Sequence, residues 1–277
     1  MLIVDSQVHI WEANSPGRPW AVLDPPYKPH RPVPFTKDDL LREINAAGVD
    51  RVVINPPPLE GWRNDLALEA ARLHPDRFAV MGRFNTDAPG SRGKLATWRQ
   101  QPGMLGVRIN FKTQGDPTND WFWAEAAAAG VPVMISPIPV EQLQLIGAAA
   151  ERHPGVKLIM DHFAIRHRHG EKGDVAFANL DKLLALAKWP NIAVKASGLP
   201  AYASDQYPYR QLFPHIRRVF DAFGPQRMFW GTDITRMPCS YRQMVTMFTE
   251  EIPWFSAEDK EWVMGRGLCE WIGWKLP

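Results

Sequence analysis

The chain has 277 residues, a net charge of only +2, 45% apolar and 22% charged residues, and two cysteines. This composition is that of an ordinary globular protein long enough for one large core, and it excludes a disulfide framework and gives no basic excess for nucleic-acid binding. No apolar stretch reaches the roughly 20 residues of a membrane span and the first residues do not resemble a signal peptide, so we expect a cytoplasmic protein with no membrane partner.

Eight short apolar runs, each typical of a buried strand, alternate with segments of helical periodicity. The runs cover residues 2–9, 51–56, 78–84, 104–111, 131–136, 156–163, 191–197 and 227–233. Helices are predicted at Lys37–Ala47, Arg63–His74, Gly90–Gln101, Asp120–Ala129, Val140–His153, Val175–Lys188 and Tyr209–Phe223, with a closing helix in Glu258–Pro277. Strands that alternate with helices indicate a parallel sheet. Eight repeats favour a single α/β domain over residues 1–277, a (β/α)8 TIM barrel, over a doubly wound open sheet.

A long segment without periodicity, Trp11–Pro34, follows the first predicted strand and is rich in proline and aromatic residues. Loops of this length in a compact domain usually cover a binding site. Because the segment follows the carboxyl end of a strand, we expect it to lie over the mouth of the barrel as a lid.

Polar side chains that handle protons stand at the carboxyl ends of three predicted strands, where a barrel places its active site. Gln7 and His9 are two residues apart on the first strand and therefore point to the same side. His162 ends the sixth strand and Asp233 ends the eighth. Such histidines can polarise a carbonyl or bind a metal, and the carboxylate can take a proton from water. The alternatives are satisfied core histidines and an aspartate that caps a helix.

Two basic residues, Arg108 and Lys195, interrupt apolar strands. A charge at such a position is costly unless it is paired or used. Both are candidates to bind an anionic substrate group, with Arg166 after the sixth strand as a third. Either strand residue could instead form a structural ion pair with Asp5, Asp161 or Asp233. Weaker candidates for substrate contact just past the strand ends are Ser136 and Tyr202.

The residues at the strand ends resemble the amidohydrolase superfamily, in the amidohydrolase-related branch that includes 2-pyrone-4,6-dicarboxylate lactonase, other lactone hydrolases and metal-dependent aromatic-acid decarboxylases. The resemblance covers nearly the whole chain and implies a (β/α)8 barrel that acts on a small molecule. The segments that carry it are Asp5–Trp11, Gly106–Arg108, Asp161–Phe163, Val194–Gly198, Gly231–Asp233 and Met264–Leu268.

The sequence departs from the metal-binding pattern of this family at two positions. Gln7 replaces the first histidine of the His-x-His motif, and Ser136 stands where metal-dependent members place a histidine at the end of the fifth strand. Amide and hydroxyl oxygens are poor replacements for the ligands that zinc prefers. We therefore expect no tightly bound metal. If a divalent ion such as Zn or Mn is present, its predicted ligands are His9, His162 and Asp233.

The leading hypothesis is hydrolysis of a small anionic lactone or cyclic ester without a metal. Asp233 would be the general base on water, and His9 and His162, together with Gln7, would donate hydrogen bonds to the carbonyl oxygen.

Other enzymes and a binding protein stay open as alternatives. One is a metal-dependent decarboxylase or hydrolase of an aromatic or unsaturated carboxylic acid. Another is a sugar-lactone isomerase, and a third is a barrel that binds a small molecule without catalysis. The tryptophans of the closing helix could serve self-association, so a homo-oligomer is also open.

Overall fold

The computed structural model describes residues 1–24, 26–110, 120–166 and 170–277. Eight parallel strands form one sheet, and each strand pairs with the next one along the chain. β1 lies beside β8, and the amide of Asp233, just past β8, donates a hydrogen bond of 2.8 Å to the carbonyl of Gln7 in β1. The predicted (β/α)8 barrel is therefore confirmed. The strands are β1 (Val4–Val8), β2 (Arg51–Ile54), β3 (Phe78–Arg83), β4 (Met104–Ile109), β5 (Val133–Ile135), β6 (Leu158–Met160), β7 (Ile192–Ser197) and β8 (Met228–Gly231).

Most described helices lie close to their predicted positions, but three places differ. The segment predicted as a helix at Val175–Lys188 contains an α-helix only at Leu180–Leu184, and the helix Tyr241–Thr246 was not predicted. The segment predicted as a helix at Gly90–Gln101 forms a 3₁₀ helix, Lys94–Gln100. Gly93 precedes it at a φ of 84°, and Pro102 follows shortly after it, so too few residues remain for a regular α-helix. The α-helices are α1 (Lys37–Ala47), α2 (Asp65–Leu73), α3 (Asp120–Ala128), α4 (Leu143–Arg152), α5 (Leu180–Leu184), α6 (Phe213–Phe223), α7 (Tyr241–Thr246), α8 (Ala257–Glu261) and α9 (Gly267–Ile272). No described helix is both long and apolar enough to cross a membrane.

The interior of the barrel changes from apolar to polar along the strands. At the amino-terminal end, Met81, Ile159 and Phe229 pack against Leu268 of α9, which closes that end. Side chains alternate across a strand, so the same inward rows continue towards the carboxyl end. There they carry buried polar groups, namely Asn55, Arg83, Arg108, Asp161 and Lys195. The polar half of the interior forms the floor of the candidate site.

The described part of segment 11–34 lies against the carboxyl end of the barrel. His30 Nδ1 is 2.8 Å from Thr235 Oγ1, and Arg31 donates a hydrogen bond of 3.3 Å to the Ile234 carbonyl. Tyr27 OH is 2.5 Å from His30 Nε2. The contacts of His30 and Arg31 hold the segment to the turn that follows β8, and the contact of Tyr27 with His30 lies within the segment.

Candidate active site

Asp233 directly follows the Gly231–Thr232 end of β8 and is fully buried. Its backbone is left-handed, with a φ of 51°, a conformation that costs energy for a residue with a Cβ and often marks a functional position. Neither carboxylate oxygen has a hydrogen-bond partner among the described residues. The nearest charged or titratable atoms are His9 Nε2 at 3.6 Å, Arg236 NH1 at 3.7 Å and His162 Nε2 at 3.8 Å. A buried acid therefore lies where imidazoles from β1 and β6 converge.

The environment of Asp233 raises its pKa towards neutral pH. Burial raises the pKa of Asp233 from its usual 3.8 to about 6, because the charged form loses its hydration. The positive charges of Arg236 and Arg108 act in the opposite direction and limit the rise. At neutral pH the carboxylate is therefore mostly ionised and still a stronger base than an exposed aspartate. A general base needs both properties.

His9 is held in one protonation pattern by its neighbours. The Lys195 ammonium, which can only donate, lies 2.5 Å from Gln7 Oε1. The other end of the Gln7 side chain is therefore its NH₂ group, which donates to His9 Nε2 at 3.2 Å. His9 Nδ1 is 2.5 Å from the Asn55 carbonyl and must carry the proton in that hydrogen bond. Burial lowers the pKa of His9 well below its usual value, so the ring is neutral and Nε2 bears a lone pair.

Lys195 belongs to a buried ion cluster beneath the cleft. Its ammonium lies 2.6 Å from Asp161 Oδ1, and Arg108 Nε donates to Asp161 Oδ2 at 2.8 Å. Burial works to raise the pKa of Asp161, but the charges of Lys195 and Arg108 outweigh it and lower the pKa to about 2. The structural ion pair with Asp161 that the sequence left open is thus present for both Lys195 and Arg108.

His162 follows β6 in a strained turn. It and Phe163 both have a φ of 51°, in the left-handed region. The ring Nδ1 lies 2.9 Å from Ser197 Oγ and 3.2 Å from the Ser197 carbonyl. Gly198, at a φ of 68°, passes so close that a Cβ there would lie 3.2 Å from this nitrogen. The turn and the end of β7 thus position the ring.

A cleft of about 220 Å³ opens at the carboxyl end of the barrel above these groups. Of the predicted site residues, His9, Arg108, Ser136, His162 and Arg166 line it. The other four predicted site residues are not among its lining residues. Asp233, Gln7 and Lys195 are fully buried beneath it, and the hydroxyl of Tyr202 donates to the Ile165 carbonyl.

No specific role was predicted for Tyr27 and His30, which line the cleft from segment 11–34, or for Arg236. The predicted lid position was the signal that pointed to the segment, but not to these side chains. The three cleft arginines, Arg108, Arg166 and Arg236, give the site a positive potential that favours an anionic ligand. A larger cavity, of about 650 Å³, is lined by residues such as Lys157 and Trp271, and none of the site residues lines it.

The predicted alternative ligands of a divalent ion do not form a suitable set. His9 Nε2 accepts a hydrogen bond from the Gln7 amide, so its lone pair is already engaged. The Arg236 guanidinium is 3.7 Å from the Asp233 carboxylate, where it would repel a second cation. Among the described residues, no group of three or more His, Cys, Asp or Glu side chains has the arrangement of a metal site. We therefore derive no step through a metal.

Comparison with known proteins places the chain in a family. A model of amidohydrolases matches residues 4–266. The chain belongs to the amidohydrolase family. It is 27% identical over 247 residues to an L-fucono-1,5-lactonase of Burkholderia ambifaria, a match that covers 83% of this chain and 79% of that protein. Together these findings confirm the prediction of a hydrolase enzyme.

Solved structures of amidohydrolases share the fold over the full length. A probable 2-pyrone-4,6-dicarboxylic acid hydrolase of Acinetobacter baumannii, with citric acid bound, has a TM-score of 0.79 at 17% identity, covering 99% of this chain and 100% of the other. An amidohydrolase of Burkholderia multivorans, with zinc bound, has a TM-score of 0.80 at 21% identity over the whole of both chains. At these identities the likeness establishes the barrel fold of this amidohydrolase.

Proposed function

We propose that this amidohydrolase hydrolyses a small anionic lactone without a tightly bound metal. One observation carries the proposal. Asp233 is a buried carboxylate with a pKa of about 6, both of its oxygens lack hydrogen-bond partners among the described residues, and it contacts two imidazoles that line a cationic cleft. The named lactonase relative supports the same reaction.

The first step is attack of water on the lactone carbonyl. Asp233 takes one proton from the water as its oxygen bonds to the carbonyl carbon, and the carbonyl oxygen becomes negatively charged. His162 stabilises this oxygen in the proposal. We assign the His162 proton to Nε2, from which it would donate to this oxygen; Nδ1 then accepts from the Ser197 hydroxyl at 2.9 Å rather than donating to the Ser197 carbonyl at 3.2 Å.

The second step opens the ring. The tetrahedral intermediate collapses, the bond between the carbonyl carbon and the ring oxygen breaks, and the leaving oxygen receives the proton from Asp233. The product is an open-chain hydroxy acid, and Asp233 is again ionised. No electron transfer or further reactant is needed.

His9 has a different role in this proposal from the one predicted from the sequence. A hydrogen-bond donor to the carbonyl oxygen would need a proton on Nε2, but this nitrogen accepts from Gln7 and the ring is neutral. We assign to His9 the role of an uncharged side chain that lines the cleft. Its neutrality avoids a second full positive charge 3.6 Å from Asp233, which would lower the basicity of that carboxylate.

The test is hydrolysis of a matched pair of lactones, γ-butyrolactone and 5-oxotetrahydrofuran-2-carboxylate, by the wild-type protein and Asp233→Asn. We expect turnover of the carboxylated lactone and a loss of roughly 10²–10⁴-fold in kcat in the variant. Asp221→Asn is the control, because Asp221 is an exposed partner of Arg217 on α6. Full activity in Asp233→Asn, or no turnover of either lactone by the wild type, would show that the proposal is wrong.

Metal dependence is tested on the same preparation. We expect less than stoichiometric zinc and manganese by elemental analysis of the untagged protein, and unchanged lactone turnover after dialysis against EDTA. One bound ion per chain, with activity lost to the chelator and restored by the metal, would instead favour the metal-dependent hydrolase or decarboxylase.

A further inference from the structure

Arg83 is a buried cation at the end of β3 that none of the steps above uses. It pairs in register with Arg108 on β4. Met81, two residues earlier on the same strand, belongs to the apolar cluster inside the barrel. Because side chains alternate along a strand, Arg83 also points into the barrel, on the carboxyl-terminal side of Met81. It is thus the strand neighbour of Arg108, which lines the cleft, although Arg83 itself is not among the lining residues.

The Arg83 guanidinium has no acidic partner among the described residues. The residue is only 6% exposed, and its Nε makes no hydrogen bond within the same ranges. Its central carbon lies 5.0 Å from the Trp62 ring, and it interacts electrostatically with Arg108 and Tyr27. Burial and the neighbouring charge of Arg108 lower the pKa of Arg83 to about 10. Burying a cation without an anion costs free energy of folding, and a bound anionic ligand would offset that cost.

The buried acid that Arg108 contacts, Asp161, already has two cationic partners. Asp161 is neutralised by Lys195 at 2.6 Å and by Arg108 at 2.8 Å. Arg108 uses only its Nε in that contact, and its two terminal nitrogens have no hydrogen-bond partner within the described ranges. Arg83 and Arg108, at paired positions of neighbouring strands, therefore both keep donors that have no partner in the part of the chain that the structure describes.

We propose that Arg83 and Arg108 together bind a carboxylate carried by the substrate, away from its lactone carbonyl. This inference rests on the proposed function and names the substrate class more narrowly, as a lactone with a carboxylate substituent. Guanidinium donors match the two oxygens of a carboxylate, and an interior pair holds it more strongly than an exposed one. The Trp62 ring holds Arg83 from the side of the barrel rim.

Binding without turnover gives the first test. Cyclopentanecarboxylate resembles the carboxylated lactone but cannot be hydrolysed, and cyclopentanol lacks the charge. By titration calorimetry, we expect the wild type to bind the carboxylate saturably and the alcohol much more weakly. Arg83→Met should weaken carboxylate binding by about 10–100-fold, the range for hydrogen bonds to a charged group. Unchanged affinity in this variant would overturn the inference.

A matched control separates the site from a general effect of removing a buried arginine. Arg51 is also buried, and its central carbon also lies 5.0 Å from a tryptophan ring, that of Trp274, but it starts β2 at the opposite end of the barrel. Arg51→Met should leave carboxylate affinity at the wild-type value. Equal losses in Arg51→Met and Arg83→Met would overturn the assignment to this site.

Two further measurements keep the inference distinct from the proposed function. If circular dichroism shows that Arg83→Met does not fold, Arg83→Lys replaces it. This variant keeps the charge but loses the planar fork, and it should still weaken binding of the carboxylate by several-fold. With both lactones as substrates, Arg83→Met should lower the ratio of kcat/KM for the carboxylated over the neutral ring by at least about 10-fold. Failure of wild-type turnover would refute the proposed function alone, because carboxylate binding is measured independently.

Discussion

The Lys195 ammonium lies 2.5 Å from Gln7 Oε1 and so determines whether the oxygen or the NH₂ group of the Gln7 side chain is directed at His9. Lysine can only donate, so the amide oxygen must face it and the NH₂ group must face His9 Nε2. Lys195, which does not line the cleft, thereby fixes the proton of His9 on Nδ1. The buried ion cluster is in this way connected to the wall of the site.

Gln7→Leu tests this arrangement directly. It keeps a side chain of similar size but removes the donor to His9 Nε2. In the wild type, ¹⁵N NMR of labelled histidine should show His9 protonated on Nδ1 and unprotonated on Nε2 at pH 7.5. In the variant, Nε2 loses its donor and the pKa of His9 should rise, because a hydrogen bond that favoured the neutral ring is gone.

The control for this experiment is His215, which lies on α6 and contacts Asp174 at the surface. Its ¹⁵N signals should be the same in wild type and variant. A wild-type His9 protonated on Nε2 at pH 7.5 would contradict the hydrogen-bond pattern, and with it the role that we assign to this residue.

The pH dependence of hydrolysis follows from the pKa of Asp233. Only the ionised carboxylate can take a proton from water, so kcat/KM should rise with pH and level off above about pH 6, the raised pKa of this buried group. Arg236→Met should move the midpoint to higher pH, because the positive charge 3.7 Å from the carboxylate lowers its pKa. A midpoint near 4 in the wild type, or a shift to lower pH in the variant, would contradict this assignment.

The same carboxylate should lower the stability of the folded protein at neutral pH. Its pKa is about 6 in the fold and near 3.8 in an unfolded chain, so the native state binds more protons between these values and stability falls as pH rises. The difference corresponds to on the order of 3 kcal/mol that is present below pH 4 and lost above pH 6.

Asp233→Asn removes this pH-dependent loss. The variant should therefore unfold at a higher urea concentration than the wild type at pH 8, and the gain should shrink at pH 4.5. Asp221→Asn serves again as the exposed control, with no comparable gain. A variant that is less stable than the wild type at pH 8 would show that the ionised Asp233 does not destabilise the native state.

Segment 11–34 should act on substrate binding through His30. This residue joins the segment to Thr235, with 2.8 Å between Nδ1 and Oγ1, and its ring centroid lies 5.5 Å from that of His9. His30→Phe keeps a flat ring of similar size but removes the hydrogen bond. We expect KM for the carboxylated lactone to increase several-fold, with faster proteolytic cleavage of the segment because the loop is held less firmly.

His74→Phe provides the comparison for that experiment, since His74 also packs edge-on against an aromatic ring, Phe78, but lies at the end of α2, outside the cleft. It should change neither KM nor the cleavage pattern. An unchanged KM in His30→Phe would mean that this contact does not hold the segment over the substrate.

The sequence by itself predicted the barrel, because eight apolar runs that alternate with helical segments have few other ways to bury their surface. It also placed His9, His162 and Asp233 at strand ends, and the carboxyl ends of parallel strands meet at one mouth. The same reasoning did not find Tyr27 and His30, because an aperiodic loop contains no pattern that specifies which side chain faces inward.

Only the tertiary structure decided how the charges inside the barrel are distributed. Lys195 and Arg108 look alike in the sequence, as basic residues in apolar strands. In the fold, Lys195 binds Asp161 and Gln7, whereas Arg108 binds Asp161 and also lines the cleft. Arg83 has no counter-ion among the residues that the structure describes. Periodicity reports which face of a strand is buried, whereas the partner of a buried charge depends on distances between strands that are far apart in the chain.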